Sequence, residues 1–253
     1  MSGKLFVFDL DDTLIDNVHD YAQPILDAAG LIVEELGSKA PHVTKIINLE
    51  QEIDSRRVKE TNPKTGKQFL YSMDRFPGSL AEVYKHICAS AKIIPKATVM
   101  AKLFSIGLMA FDEERYIKNI KPGTKEVIDF LNEQGDMVVL LTKGDRGVQA
   151  KKVVALQEAN IMFLRVDVVD SKTSLEFRIM TSLALSPEWY SVGNSYESDI
   201  VPALEAGYKG IFIPVETWDV IGKMDEIISK VDKEKCLVFE NIMEIKERYE
   251  ELV

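Results

Sequence analysis

The chain has 253 residues, 46% hydrophobic and 28% charged, and is long enough for a large core or a core with a smaller second domain. Its 41 acidic residues outnumber 31 basic ones, and a net charge of −10 argues against nucleic acid as the main partner. No secretory signal pattern or apolar run of membrane-spanning length is present, and Cys88 and Cys236 have no metal-binding spacing. We therefore expect a cytoplasmic protein with reduced thiols and no membrane contact.

The first predicted element is a buried strand, residues 4–9, which ends in carboxylates. Four apolar residues, L-F-V-F, lead directly to Asp9, and Asp11 and Asp12 follow within three positions. Negative charge packed this densely at the end of a buried strand lowers stability unless a cation or a substrate offsets it. The stretch therefore indicates a site, and Mg²⁺ is the cation that best suits such hard oxygen ligands.

Helical periodicity dominates from about residue 17 to about residue 116. Apolar residues recur at helical spacing in four segments, which we predict to be helices: residues 24–36, 43–58, 79–91 and 96–111. A weak strand pattern at residues 68–72 is the one departure. The segment is therefore predicted to be an α-helical insert.

From residue 121 onward, short apolar strands alternate with helices. The predicted helices are residues 124–134, 146–158, 174–185, 197–206 and about 219–230, and a final helix closes the chain. The predicted strands are residues 137–141, 163–169, 189–192, 210–214 and 236–239. This alternation is typical of an α/β fold, a doubly wound parallel sheet with helices on both faces. We predict a core domain of residues 1–16 and 117–253, interrupted by an α-helical cap of residues 17–116.

Polar residues stand at the ends of four predicted strands, where a parallel sheet gathers them along one edge. After Asp9 these are Thr142, Lys172 and the segment 193–199, which reads G-N-S-Y-E-S-D. Each has a structural alternative. In that alternative Asp12 and Thr13 would cap a turn, Thr142 would satisfy backbone groups, Lys172 would be solvated, and Asp199 would be an acid in a first helical turn. We expect the structural role for Asp12. Their order along the chain favours phosphoryl transfer.

These four segments resemble the four motifs of the haloacid dehalogenase-like hydrolase superfamily. Motif one, D-x-D-x-T, matches D-L-D-D-T at residues 9–13, and motif two, a Thr or Ser after an apolar strand, matches Thr142. Motif three matches Lys172, and the acidic motif four matches residues 193–199. The resemblance covers the α/β part from end to end. It implies a Rossmann-like core with a helical cap inserted after motif one.

The resemblance implies a phosphatase mechanism. Asp9 is the expected nucleophile, which forms an aspartyl-phosphate, and Asp11 is the expected general acid and base. Thr142 and Lys172 are expected to hold the phosphate oxygens and balance their charge. The expected substrate is a small phosphorylated metabolite, and the oligomeric state is left open.

The resemblance also implies a Mg²⁺ site and a set of substrate contacts. Metal ligation is assigned to Asp9, the backbone carbonyl of Asp11, Asp199 and Asn194. Asn194 replaces the first acid of motif four and is either an uncharged ligand or a neighbour of the ligands. Substrate binding is assigned to Leu10, Thr142, Lys143 and Lys172. For Lys143 a solvated position at a helix start is the alternative.

Three other functions stay open at this point. A haloacid dehalogenase needs no metal, and Asp11 argues against it because that branch typically lacks a carboxylate there. A phosphomutase would pass the phosphate from Asp9 to a sugar instead of water. A binding or regulatory member with weak catalysis is slightly favoured by Asn194 and strongly disfavoured by the intact Asp9 and Asp11.

Overall fold

The computed structural model describes residues 3–182, 188–217 and 220–252. The chain divides into two compact units, one formed by Met1–Asn17 with Glu113–Val253 and the other by Val18–Asp112. The predicted insert was 17–116, whereas the second unit comprises 18–112. No helix within the described ranges is both long and apolar enough to cross a membrane.

The first unit contains a six-stranded parallel sheet in the order β3-β2-β1-β4-β5-β6. The strands are β1 Leu5–Phe8, β2 Met137–Lys143, β3 Arg165–Val169, β4 Trp189–Gly193, β5 Lys209–Phe212 and β6 Cys236–Val238. The predicted doubly wound α/β class is confirmed. Because the order reverses at β1, the carboxyl ends of β1, β2 and β4 flank the switch point where such sheets form their crevice.

The helices follow the strands closely in the first unit and make up nearly all the regular structure of the second. In chain order they are α1 Ala22–Leu36, α2 Val43–Arg57, α3 Arg75–Ser90, α4 Ala97–Leu108, α5 Glu113–Tyr116, α6 Thr124–Glu133, α7 Arg146–Glu158, α8 Ser174–Thr181, α9 Val201–Glu205, α10 Met224–Ser229 and α11 Glu244–Glu247.

Strand β1 is buried on both faces, which explains its uninterrupted apolar sequence. Phe6 and Phe8 pack into the core on one side of the sheet, whereas Leu5 and Val7 pack into the core on the other. Side chains alternate along a strand, so an apolar residue is required at every position when helices cover both faces. Asp9, the first residue after β1, is therefore the first position beyond the strand at which a charged side chain is found.

Several predicted elements differ from the structure. Residues 68–72 form no strand, and a single bridge joins Thr61 to Gln68. The predicted helix 197–206 begins as a π-helical turn, Tyr196–Ile200, before α9. Pro202, which lacks a backbone N–H, cannot donate to the carbonyl four residues earlier, so a regular α-helical turn is not available there. The predicted helices 174–185 and 219–230 are shorter, and 183–185 and 219 lie outside the described residues.

Cys88 and Cys236 are both buried free thiols. Cys88 lies in the apolar core of the second unit, and Cys236 begins β6. Burial raises the pKa of the Cys236 thiol to about 12, so it stays protonated. Both cysteines are thus buried and unpaired in the structure.

The second unit buries a charged cluster between α2 and α3. Arg75 forms an ion pair with Asp54, and the hydroxyl of Ser79 donates a hydrogen bond of 2.9 Å to the same carboxylate. Glu50 lies one helical turn before Asp54 and is 4% exposed. The cluster thus places two carboxylates beside one guanidinium, so ionised Glu50 would leave a net negative charge in the interior.

The pKa of Glu50 is raised to about 8, because burial and the nearby Asp54 carboxylate raise it more than Arg75 lowers it. The folded state therefore holds the Glu50 proton over a pH range in which the unfolded chain has released it. The free energy of unfolding consequently falls as the pH rises from about 5 to about 8.

We expect Glu50→Gln to raise the free energy of unfolding by about 2 kcal/mol at pH 8 and to have little effect at pH 5. The neutral amide does not ionise, so the variant no longer loses stability as the pH rises. Denaturant unfolding at both pH values measures the difference. Glu52→Gln, an exposed substitution in the same helix, is the matched control. An equal effect of Glu50→Gln at the two pH values would contradict the prediction.

Candidate active site

The parallel register brings three of the sequence-predicted positions to one edge of the sheet. Phe8 pairs with Leu140 on one side and with Val192 on the other. Thr142 follows Leu140 by two residues, and Asn194 follows Val192 by two residues. Both therefore lie level with Leu10, directly beside Asp9. Asp9, Thr142 and Asn194 therefore meet at the carboxyl ends of adjacent strands, although Asp9 lies more than 130 positions before the other two in the sequence.

A tight turn after β1 fixes the first motif. Asp12 has a positive φ of 60°, and its N–H donates a 2.7 Å hydrogen bond to the carbonyl of Ile15. The Asp12 carboxylate accepts a 2.9 Å hydrogen bond from the backbone N–H of Asn17. The Thr13 hydroxyl lies 3.1 Å from Oδ2 of Asp9, to which it can donate. Asp12 thus has the structural role predicted for it, and the turn holds Thr13 against Asp9.

Lys172 joins two carboxylates that are far apart in the sequence. Its Nζ donates to Oδ1 of Asp9 and, at 2.7 Å, to Oδ1 of Asp199. All three side chains are less than a tenth exposed. A buried ammonium is stable only when opposite charges offset its lost hydration. The arrangement therefore excludes the solvated alternative for Lys172.

The electrostatic balance of this trio is uneven, since one ammonium faces two carboxylates. The pKa of Asp9 is raised to about 7, because burial and the neighbouring Asp199 carboxylate raise it more than Lys172 lowers it. Burial lowers the pKa of Lys172, but Asp199 and Asp9 outweigh it, so the net direction is upward. Lys172 is therefore charged at neutral pH. Because its single positive charge faces two carboxylates, a bound cation could offset the remaining negative charge.

The π-helical turn after β4 positions Asp199. The second oxygen of its carboxylate accepts a 2.9 Å hydrogen bond from the backbone N–H of Ser195. A methyl group on Gly193 would come within 2.4 Å of the Asp199 side chain, so only glycine permits this approach. Asp199 lies in the first turn of this segment, as its structural alternative has it, but it is 2% exposed and forms an ion pair with Lys172, so a role in the helix start alone does not account for it.

Asp11 points its carboxylate at donors that sequence reasoning missed. Oδ2 accepts a 2.6 Å hydrogen bond from Nε2 of Gln149, and Oδ1 accepts a 2.5 Å hydrogen bond from Nζ of Lys152. Gln149 and Lys152 lie three positions apart in α7 and therefore share one helix face. No sequence signal separates Lys152 from its exposed neighbour Lys151, so the pair becomes visible only through burial.

The remaining predicted contacts have different environments. The Thr142 hydroxyl is fully buried and has no hydrogen-bond partner among the described residues. Nζ of Lys143 donates a 2.7 Å hydrogen bond to the hydroxyl of Ser198, so Lys143 lies beside the fourth motif instead of in solvent. The Leu10 side chain is fully buried in the core. Any contact of Leu10 with a substrate must therefore come from its backbone.

The chemistry of the predicted metal ligands fits Mg²⁺. Within the described ranges, no three His, Cys, Asp or Glu side chains converge as a metal site by themselves. Two carboxylates, Asp9 and Asp199, meet through Lys172, and the side-chain oxygen of Asn194 lies 3.3 Å from the Thr13 hydroxyl that also contacts Asp9. All are hard oxygen donors with lone pairs beyond those engaged in hydrogen bonds. The side-chain ligands would therefore be two carboxylates and one neutral amide, Asn194, instead of three carboxylates.

Comparisons with known proteins agree with this geometry. The model of the haloacid dehalogenase-like hydrolase family matches residues 4–178. A haloacid dehalogenase-like family hydrolase from Xanthomonas campestris has a TM-score of 0.66 and 19% identity, covering 99% of this chain and 96% of that chain. No curated protein matches.

Two further solved structures carry different activities in their names. A predicted phosphoglycolate phosphatase from Haemophilus somnus 129PT has a TM-score of 0.54 and 16% identity, covering 98% of this chain and 99% of that chain. A 2-haloacid dehalogenase from Pseudomonas syringae pv. tomato DC3000 has a TM-score of 0.51 and 20% identity, covering 99% and 100%. At these identities the likeness establishes the fold, and the choice between phosphate ester and haloacid depends on the site.

Proposed function

This chain belongs to the haloacid dehalogenase-like hydrolase family, and we propose that it is a Mg²⁺-dependent phosphatase that hydrolyses a small phosphomonoester. The observation that carries the proposal is Asp11. A second carboxylate follows the candidate nucleophile by two residues, and two donors hold it at the end of β1. Displacing an alcohol from phosphorus requires such an acid and base, whereas displacing a halide requires no proton for the leaving group.

In the proposed reaction an oxygen of Asp9 attacks phosphorus, and the bond between phosphorus and the ester oxygen breaks. Asp11 gives its proton to that oxygen, and the alcohol leaves. A water molecule then attacks the aspartyl-phosphate and gives one proton to Asp11. The bond between phosphorus and the Asp9 oxygen breaks, inorganic phosphate leaves, and both carboxyl groups return to their starting states.

The phosphate oxygens are proposed to bind Lys172, Thr142 and the backbone of Leu10. Thr142 supports this assignment because its buried hydroxyl has no partner among the described residues, and an unpaired buried donor lowers stability. Lys172 supplies positive charge in a site of low dielectric constant. Lys143, tethered to Ser198, is proposed to contact the substrate at the edge of this site.

Magnesium is proposed to be held by Asp9, Asp199, the amide oxygen of Asn194 and the backbone carbonyl of Asp11. When bound, it would neutralise negative charge on phosphate and so make attack by a carboxylate possible. Asn194 contributes no charge, so we expect weaker metal affinity than three acids would give. Measuring how the reaction rate depends on Mg²⁺ concentration is therefore the most direct test of this part of the proposal.

The helical unit, residues 18–112, is proposed to act as a cap that restricts the substrate to small phosphorylated metabolites. This assignment follows from its insertion directly after the first motif, as in family members with helical caps. The two buried free thiols support a reducing compartment, and we propose the cytoplasm.

The experiment that tests the function compares two substrate classes under two metal conditions. We expect the purified protein to release phosphate from p-nitrophenyl phosphate and from members of a phosphorylated-metabolite panel with Mg²⁺, and to stop when EDTA is added. Release of chloride from 2-chloropropionate in EDTA, without phosphatase activity, would establish the dehalogenase alternative instead. The neutral amide of Asn194 is compatible with that alternative as well, because a haloacid dehalogenase needs no metal.

A further inference from the structure

One face of α7 is shaped around the carboxylate of Asp11. Gln149 donates to one oxygen at 2.6 Å and Lys152 to the other at 2.5 Å. Gln149 is 2% exposed and Lys152 is 3% exposed. A carboxylate with a directed donor on each oxygen cannot rotate freely about its terminal bond, so its orientation is fixed from α7.

The burial of Lys152 requires an explanation, since moving an ammonium out of water costs several kcal/mol unless partners offset it. Its Nζ donates to Asp11 and, at 2.7 Å, to the side-chain oxygen of Asn17, and it lies 5.5 Å from the centre of the Tyr116 ring. Asp11 is the charged partner that these contacts provide. The buried position of Lys152 is therefore tied to Asp11.

The side-chain amide of Gln149 is itself held in place by the loop between β2 and α7. Its Nε2 also donates a 2.9 Å hydrogen bond to the backbone carbonyl of Lys143, which uses both protons of the amide group. A methyl group on Gly144, where φ is 146°, would come within 2.7 Å of that nitrogen. Glycine at position 144 thus leaves the space that the Gln149 amide occupies.

We propose that Lys152 and Gln149 are positioning residues that hold the Asp11 carboxylate where it can exchange a proton with the leaving oxygen. This inference rests on the proposed phosphatase function and adds to it, since neither residue belongs to the four motifs. Neither side chain needs to touch the substrate. Their removal should therefore slow proton transfer without weakening the binding of phosphate.

The test compares Lys152→Met with Lys151→Met, a control on the same helix whose lysine is half-exposed and paired with Glu113. Phenyl phosphate needs a proton on its leaving oxygen more than p-nitrophenyl phosphate does. We expect Lys152→Met to lower kcat/KM for phenyl phosphate roughly 100-fold, and clearly less for p-nitrophenyl phosphate. Lys151→Met should change neither, Gln149→Leu should repeat the pattern more weakly, and Lys152→Arg should restore part of the loss.

Inhibition by inorganic phosphate reports ground-state binding, and its constant should stay within about twofold of wild type in Lys152→Met. An equal loss for both esters, or a matching loss of phosphate binding, would show that Lys152 merely supports the fold and would overturn the inference. So would wild-type rates in Lys152→Met.

A thermal-unfolding cycle separates failure of this inference from failure of the proposed function. If the wild type hydrolyses no phosphomonoester, the function fails, and the cycle of Lys152→Met and Asp11→Asn still tests the contact. We expect Lys152→Met to lower the melting temperature far more when Asp11 is present than when it is asparagine. Additive shifts would show that Lys152 does not hold Asp11, and the inference would fall.

Discussion

Asp9→Asn is expected to abolish phosphomonoester hydrolysis, with a loss of about 1,000-fold or more in kcat, while the protein stays folded. The amide has nearly the same shape as the carboxylate, but it cannot act as the nucleophile. Burial and the neighbouring Asp199 already disfavour the charged form of Asp9. The neutral amide should therefore leave the free energy of unfolding at pH 8 no lower than in wild type.

The measurement combines phosphate release from p-nitrophenyl phosphate with denaturant unfolding. Asp129→Asn is the matched control, because Asp129 is exposed on α6 and forms a surface pair with Lys125. It should change neither quantity appreciably. Hydrolysis by Asp9→Asn at a rate near that of wild type would show that another group attacks phosphorus, and the proposed mechanism would be wrong.

The sequence predicts elements well where apolar periodicity and capping residues agree. Helix α7 begins and ends at the predicted residues, since Asp145 caps its first turn by accepting hydrogen bonds from Gly147 and Val148. The π-helical turn before α9 depends on a missing hydrogen bond near Pro202 and on the close approach of Asp199 to Gly193. The spacing of apolar residues predicts neither the missing hydrogen bond nor this close approach.

The site is predictable where a motif lies at the end of a strand, and less so elsewhere. Asp9, Thr142 and Asn194 could be placed together because parallel strands share one edge. Gln149 and Lys152 could not, because polar residues at helical spacing are usual on a solvated face. The same limit applies to Glu50, whose buried position in α2 depends on how α3 packs against it. Burial of charge is a tertiary property.

Lys172→Met is expected to destabilise the protein and to inactivate it. Without the ammonium, the buried carboxylates of Asp9 and Asp199 repel each other with no opposite charge between them. Breaking a buried ion pair by removing one partner typically lowers the free energy of unfolding by about 3 kcal/mol or more. The loss of a positive charge at the phosphate should lower kcat by roughly 100-fold or more. Lys125→Met, at an exposed surface pair, is the control.

The pH dependence of this loss distinguishes charge repulsion from lost packing. Lys172 lowers the pKa of Asp9, which is already raised to about 7, so its removal raises that pKa further. A raised carboxyl pKa means that the folded state binds more protons than the unfolded chain, and stability falls as the pH rises from about 4 toward the folded pKa. Denaturant unfolding should therefore show a larger loss at pH 8 than at pH 5. An equal loss at both would mean that Lys172 acts through packing.

If Mg²⁺ binds these carboxylates, adding it at pH 8 should also stabilise Lys172→Met, because a ligand that binds the folded state alone shifts unfolding by mass action.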